Sequence, residues 1–336
     1  MPAQFTITRN GPLGTNQTYQ AKWDHLGNLV ERKDNFSGDV PETFTYDEHN
    51  RLKSNKVGTK TVNMAYYLDD NIYKKSDEQS NSEYKYGKNN HAVTQIGQRK
   101  FTYDKNGNVT QDSGNGKVKT FTYTAKDQAA SISLSTGHTT QFSYGTAGRF
   151  KRVDKDGSSR ITTTLYVGNV EKVYNADNTI QYKRTVGGVA QLTYTVAAGK
   201  LGTADYKYLH KDHLGSINAI THGEGNQKGL VYQRMAFDPW GARRDLPAGK
   251  LSNKALTEAS VLATFAKTQW RELVTNRGFT GHEMLDEVGI IHMNGRIYDA
   301  TIARFLQADP NVDGAARVSG FNRYAYVKNN PLNATD

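Results

Sequence analysis

Over the first 150 residues, apolar and polar positions alternate in short runs that stop at a turn and begin again. Phe44-Thr45-Tyr46, Phe101-Thr102-Tyr103, Phe121-Thr122-Tyr123 and Phe142-Ser143-Tyr144 each place two aromatics on one face of a strand and a hydroxyl on the other. A turn phrase follows. The clearest copies are WDHLGNLV (from Trp23), YDEHNRL (from Tyr46), YDKNGNV (from Tyr103) and YGTAGRF (from Tyr144), with weaker copies starting at Tyr67, Tyr86 and Tyr123. The anchors lie 23, 21, 19, 17, 20 and 21 residues apart. A period of this size is one β-hairpin, so the pattern predicts a row of hairpins joined into a continuous sheet. The aspartate after the aromatic bonds backbone amides of the turn, and Asn106-Gly107 and Ala147-Gly148 supply positive φ. The apolar residue after the turn (Leu29, Leu52, Val109, Phe150) opens the return strand.

Beyond residue 160 the alternation lengthens. Leu165-Tyr166-Val167, Val173-Tyr174, Tyr182, Leu192, Tyr194 and Val196 predict longer strands in a meander, and Tyr208–Thr221 and Phe237–Arg244 each carry a further turn phrase. Residues 252–275 break the pattern. Leu256, Val261, Leu262, Phe265, Trp270, Leu273 and Val274 recur at helical spacing, with Ser252 placed to cap, which predicts a small helical insertion. The expected organisation is hairpin repeats over 1–160, a meander over 161–250, the insertion over 251–276 and a C-terminal block over 277–336.

Composition narrows the architecture. Only 36% of the 336 residues are hydrophobic and 20 are tyrosine, so aliphatic side chains are scarce. A broad sheet with a thin aromatic seam suits that supply better than a thick helical core. The absence of cysteine excludes disulfides and thiolate metal sites. No apolar run reaches transmembrane length, so no membrane insertion is expected of this segment, and the N-terminus shows no signal-peptide pattern. The net charge of +10 is spread without a run of five cations, which fits a solvated hairpin surface and predicts no specific nucleic-acid partner.

The C-terminal block carries the most specific phrases: GFTGHE (Gly278–Glu283), GRIYD (Gly295–Asp299), ARFLQADP (Ala303–Pro310) and RYAYVKNNPLNATD (Arg323–Asp336), preceded by YLHKDHLGS and FDPWG. In this order they resemble the core domain of rearrangement-hotspot (Rhs) and tyrosine–aspartate (YD) repeat proteins, and the upstream hairpin phrases resemble the degenerate YD repeats of that family. The resemblance is strong over 205–336 and weaker over 1–160. It implies a mainly β fold in which YD-repeat hairpins form a spiralling, curved shell around a C-terminal toxin domain, as in type VI secretion effectors and insecticidal toxin complexes active against competing or host cells. It also implies a secreted or delivered bacterial effector made in the cytoplasm, with remaining shell segments or secretion machinery as further partners. In many members the core cuts the chain just beyond its conserved end. The family continues with Pro, a residue and Gly after the position matched by Asp336, and a complete shell is longer than this chain.

The resemblance implies an intramolecular, aspartyl-type cleavage with no cofactor, no metal and no multiple turnover. One carboxylate activates a nucleophile while another donates a proton, so two groups with separated roles are needed. The matched motifs nominate Asp309, Asp336 and Asp299, with Arg304 placed to orient a carboxylate by a bidentate pair; the sequence leaves the choice of pair open. Glu283 and the neighbouring His282 and His292 lack a metal-binding spacing and fit structural roles. Two other classes are compatible with the pattern: a repeat-based module binding glycans or a partner protein surface, and a basic nucleic-acid binder.

Overall fold

The structure, a computed structural model, describes residues 4–9, 17–77, 82–88, 90–114, 116–246, 274–312, 314 and 318–336. It is mainly β, as the alternation predicts, and its antiparallel sheets are open rather than closed into a barrel. Strands from Gln4–Arg9 to Ile72–Lys75 form a seven-stranded sheet in chain order. Strands from Tyr84–Tyr86 to Val231–Arg234 form a sixteen-stranded sheet, and one bridge, Lys74 to Glu83, links the two. A four-stranded sheet follows: Glu283–Leu285, Ile290–Met293, Arg296–Asp299 and Arg304–Phe305. The predicted helical insertion falls almost wholly on residues 247–273, outside the described residues.

Every repeat shifts register at its aromatic, and those that carry an aspartate next to it close in the same way. The strand register slips by one residue at the aromatic, pairing Tyr46 with Leu52, Tyr66 with Ile72, Tyr103 with Val109 and Tyr123 with Ala129. The bulge lets the following residue turn the chain. Asp104 Oδ1 accepts from the amides of Asn106 and Asn108, both at 2.9 Å, and Asp24, Asp47, Asp156, Asp212 and Asp238 do the same two and four residues ahead. The third residue after the aspartate is left-handed, whether Gly27, Asn50, Gly107, Ser159, Gly215 or Gly241. The third repeat is anchored one residue earlier than the sequence pattern suggested. Tyr66 takes the aromatic position, and Tyr67 occupies the aspartate position, its amide bonded to the Asn71 carbonyl.

The anchor tyrosines also tie successive repeats together. Each phenol donates to the carbonyl of the apolar residue that opens the preceding return strand: Tyr46 to Leu29, Tyr66 to Leu52, Tyr86 to Ile72, Tyr103 to Val93, Tyr123 to Val109 and Tyr144 to Ala129, at 2.7–2.9 Å. The phenylalanines lie beneath, Phe44, Phe101, Phe121 and Phe142 all being buried. Leu29, Leu52 and Val109 are buried as expected, but Phe150 is 48% exposed. Its turn is a tighter one, with Gly145 paired to Gly148, and Phe150 is the residue the bulge leaves without a cross-strand partner.

The C-terminal block packs on the inner, phenylalanine-bearing face and shares one hydrophobic core with it. Its polar side chains meet the repeat turns one after another. Asn330 and Asn333 donate to Asn28 Oδ1, Asn322 and Asn329 donate to the Asp70 carbonyl, and the Tyr324 phenol donates to the Gly107 carbonyl. The block is therefore registered against the hairpin row by the turns themselves.

Candidate functional site

Two of the nominated aspartates come together on a residue that motif matching passed over. Arg296 opens the strand Arg296–Asp299, and its guanidinium lies 3.6 Å from the ring centroid of buried Phe305 on the neighbouring strand. Held there, its two terminal nitrogens divide between carboxylates: Nη1 is 2.9 Å from Asp309 Oδ2 and Nη2 is 2.9 Å from Asp336 Oδ1. Asp309 is fixed by its turn, its Oδ1 accepting from the Asn311 amide at 2.9 Å and its own amide donating to the Arg323 carbonyl. The three groups line a cavity of about 330 Å³ together with Asn322, Arg323 and Lys328. Both carboxylates keep a third of their side-chain surface exposed, so the cavity is open to solvent.

Asp299 lies outside this group. It is fully buried and pairs with Arg99 of the hairpin row, which also grips Asp112 through two bonds of 2.6 and 2.8 Å. Thr301 donates to Asp299 through its amide and hydroxyl. Burial pushes this carboxyl up, but Arg99 and Lys119, with the Thr301 bond, outweigh it and hold the pKa at about 2. The arrangement is that of a lock between the C-terminal sheet and the repeats.

Arg304 is also elsewhere. Its described bonds run to Asn322 Oδ1 and Asn71 Oδ1, both 2.9 Å, and to the Tyr86 phenol at 2.8 Å. The bidentate carboxylate pair expected of it is replaced by two amides and a phenol, because the third repeat turn presents Asn71 there.

A second charged cluster joins the two halves further along. Glu283 accepts from Arg152 at 2.6 Å and Tyr166 at 2.7 Å, and also pairs with Arg149. Burial raises this carboxyl, yet Arg152 and Arg149 bring it down to about 2. Nearby His292 is pushed down to about 3 by burial first and by Arg149 second. Tyr144 already donates to the Ala129 carbonyl, so His292 Nε2 is the donor in its 3.1 Å contact with that phenol. Among the described residues no cluster of three His, Asp or Glu is placed to hold a metal, and no helix is long and apolar enough to cross a membrane.

No protein-family model matches the chain. Over 248 residues it is 27% identical to the tRNA3(Ser)-specific nuclease WapA of Bacillus spizizenii and 27% identical to the tRNA nuclease WapA of Bacillus subtilis strain 168. Each alignment covers 73% of this chain and 9% of the relative, so the chain spans under a tenth of these proteins. Among solved structures it is similar to TcdB2-TccC3-Cdc42, with a TM-score of 0.48 at 14% identity, and to TcdB2-TccC3, with 0.48 at 15%. These likenesses cover 99% of this chain and 20% and 21% of the other chains. The WapA similarity supports the Rhs/YD-repeat family as the one this chain resembles.

Proposed function

We propose that this chain is part of a toxin-enclosing shell whose C-terminal block releases the following domain by self-cleavage just beyond Asp336. The observation that carries the reading is the sharing of Arg296 by Asp309 and Asp336. In this reading the WapA relatives, named as tRNA nucleases, point to a chain whose toxic activity lies in a separate segment. The hairpin row and meander supply the wall, residues 277–336 the cap, and the remaining shell segments and the toxin domain are the partners.

The two carboxylates meet through a cation rather than through a shared proton, and in this reading the three groups take separate roles. Asp309, anchored by its turn, takes the proton of the attacking water. Arg296 stabilises the negative oxygen that forms as the carbonyl becomes tetrahedral. Asp336 draws the junction into the cavity by its bond to the same guanidinium. The peptide C–N bond then breaks, and the departing amine takes the proton that Asp309 accepted from the water, which restores the Asp309 carboxylate.

The test is a chain extended through the junction and a downstream domain. It should cut itself without added protease or metal, and the pieces should stay associated in size-exclusion chromatography. Asp309→Asn should stop the cut while the β circular-dichroism signal is retained. Wild-type cutting by Asp309→Asn would sink the assignment of Asp309, and an extended wild-type chain that never cuts would sink the protease reading.

A further inference from the structure

On the repeats, the face turned away from the C-terminal block carries hydroxyls in cross-strand pairs: Thr45 with Ser54, Thr102 with Thr110 and Thr122 with Ser131. The same face changes character from residue 151 onward. One register row crosses the strands as Ser143, Lys151, Leu165, Lys172, Tyr182 and Tyr194. The next runs Gln141, Val153, Thr163, Tyr174, Ile180 and Val196. None of these side chains from Lys151 to Val196 is buried. Val167 is 70% exposed, Leu201 65%, Tyr208 45% and Tyr206 43%. A wet sheet face ordinarily shows the opposite composition.

The charges are sorted as sharply. Lys151, Lys155, Lys172 and Arg184 occupy outward positions, and no outward strand position between 151 and 208 is a carboxylate. The strand carboxylates of this stretch, Asp154, Glu171 and Asp205, all point to the other face, where they pair with Arg152, Arg277 and Lys207. Lys172 sits amid the apolar rows with its ammonium 4.9 and 5.2 Å from the ring centroids of Tyr174 and Tyr182.

We propose that this outer face, from Lys151 to Tyr208, adsorbs to the surface of an anionic lipid bilayer. The charge complement is one-sided, which suits an anionic surface and opposes a second copy, since two such faces would bring cations against cations. Aliphatic tips such as Val167 and Leu201 enter the headgroup boundary, tyrosines rest at the interface, and the cations meet lipid phosphates. Nucleic acid would use the tyrosines and cations but leave the aliphatic majority unsatisfied. Adsorption of this kind involves no crossing of the bilayer and is independent of the self-cleavage reading.

The experiment is flotation of the purified chain with vesicles of phosphatidylcholine alone and of phosphatidylcholine mixed with phosphatidylglycerol. Partition should favour the anionic vesicles by at least about tenfold and weaken as salt is raised. The double variant Lys172→Glu/Arg184→Glu should lose at least about tenfold on anionic vesicles. Val167→Ser with Leu201→Ser should weaken binding at every salt concentration, and Thr102→Glu on the hydroxyl part of the face should leave it unchanged. Circular dichroism confirms that each variant is folded. Equal partition onto both vesicle types, or wild-type binding by the folded Lys172→Glu/Arg184→Glu variant, overturns the proposal. So does a single-stranded oligonucleotide that binds this face while anionic vesicles do not, or self-association in sedimentation that the charge reversal alters without any lipid binding.

Discussion

The phenol of Tyr123 donates to the carbonyl of Val109 at 2.7 Å, across the boundary between two repeats. The bond joins a side chain that ends one strand to the first backbone group of the preceding return strand, so it adds a lateral tie to the ladder. Five other anchor tyrosines make the equivalent bond. Tyr123→Phe should cost about 1 kcal/mol, the net worth of one such bond. Tyr123→Ala should cost roughly 2–4 kcal/mol because the packed ring goes too. Thr122→Ala, on the exposed face, should stay within about 0.5 kcal/mol. Urea denaturation of the three variants checks the order; equal losses at Tyr123 and Thr122 would mean the two faces are misassigned.

Gly107 and Gly27 occupy the same left-handed turn position, but only one is covered. A Cβ on Gly107 would meet the Tyr324 phenol at 2.6 Å, whereas nothing lies within 4 Å of one on Gly27. Gly27→Ala should therefore cost about 1 kcal/mol of backbone strain. Gly107→Ala should cost visibly more and loosen the C-terminal block, read as faster amide exchange over residues 322–330. Similar stability losses and exchange in both variants would show that Tyr324 does not register the block.

His292, Asp299 and Glu283 should lose their contributions to stability in acid in two stages. His292 is held neutral with a pKa of about 3, below its ordinary 6.5, so the unfolded chain takes up that proton first and stability falls as pH drops through the interval. Asp299 and Glu283 are both depressed to about 2. Their contributions are fully present above the ordinary carboxylate range and are lost as pH falls from there toward 2, about 2–3 kcal/mol for each. His292→Gln should flatten the stability curve from about pH 6.5 to about pH 4.5. Asp299→Asn should lower stability at neutral pH by leaving Arg99 with one carboxylate, and flatten the curve below about pH 4. Thermal melts across pH decide whether the slopes move as stated.

Arg296 separates the catalytic reading from a structural one. In the extended chain, Arg296→Lys keeps one positive charge but cannot reach both Asp309 and Asp336 in the planar fork, so cleavage should fall by at least about tenfold. Asp299→Asn should lower stability yet leave cleavage of the folded fraction near the wild-type rate. Cleavage that is lost in Asp299→Asn at a temperature where the chain is folded would return Asp299 to the site.

The sequence by itself determined what is local. Phe-x-Tyr alternation sets which side chains of a strand share a face, and where an aspartate stands three residues before a left-handed position it closes the turn on its own backbone; both depend on groups within a few residues. The third repeat escaped by one residue because Tyr66 and Tyr67 fit the phrase equally well until a bulge chose between them. The tertiary structure alone decided everything that depends on where the C-terminal block sits. That docking makes one face inner, and so turns the alternation of residues 151–208 into an outer face whose strand positions are mostly apolar and carry no carboxylate. It also gathers Arg296, Asp309 and Asp336 while sending Asp299 to Arg99 and Arg304 to Asn71. A motif gives each of these residues a place in the chain, but its partner is fixed only when separate turns and strands are packed together.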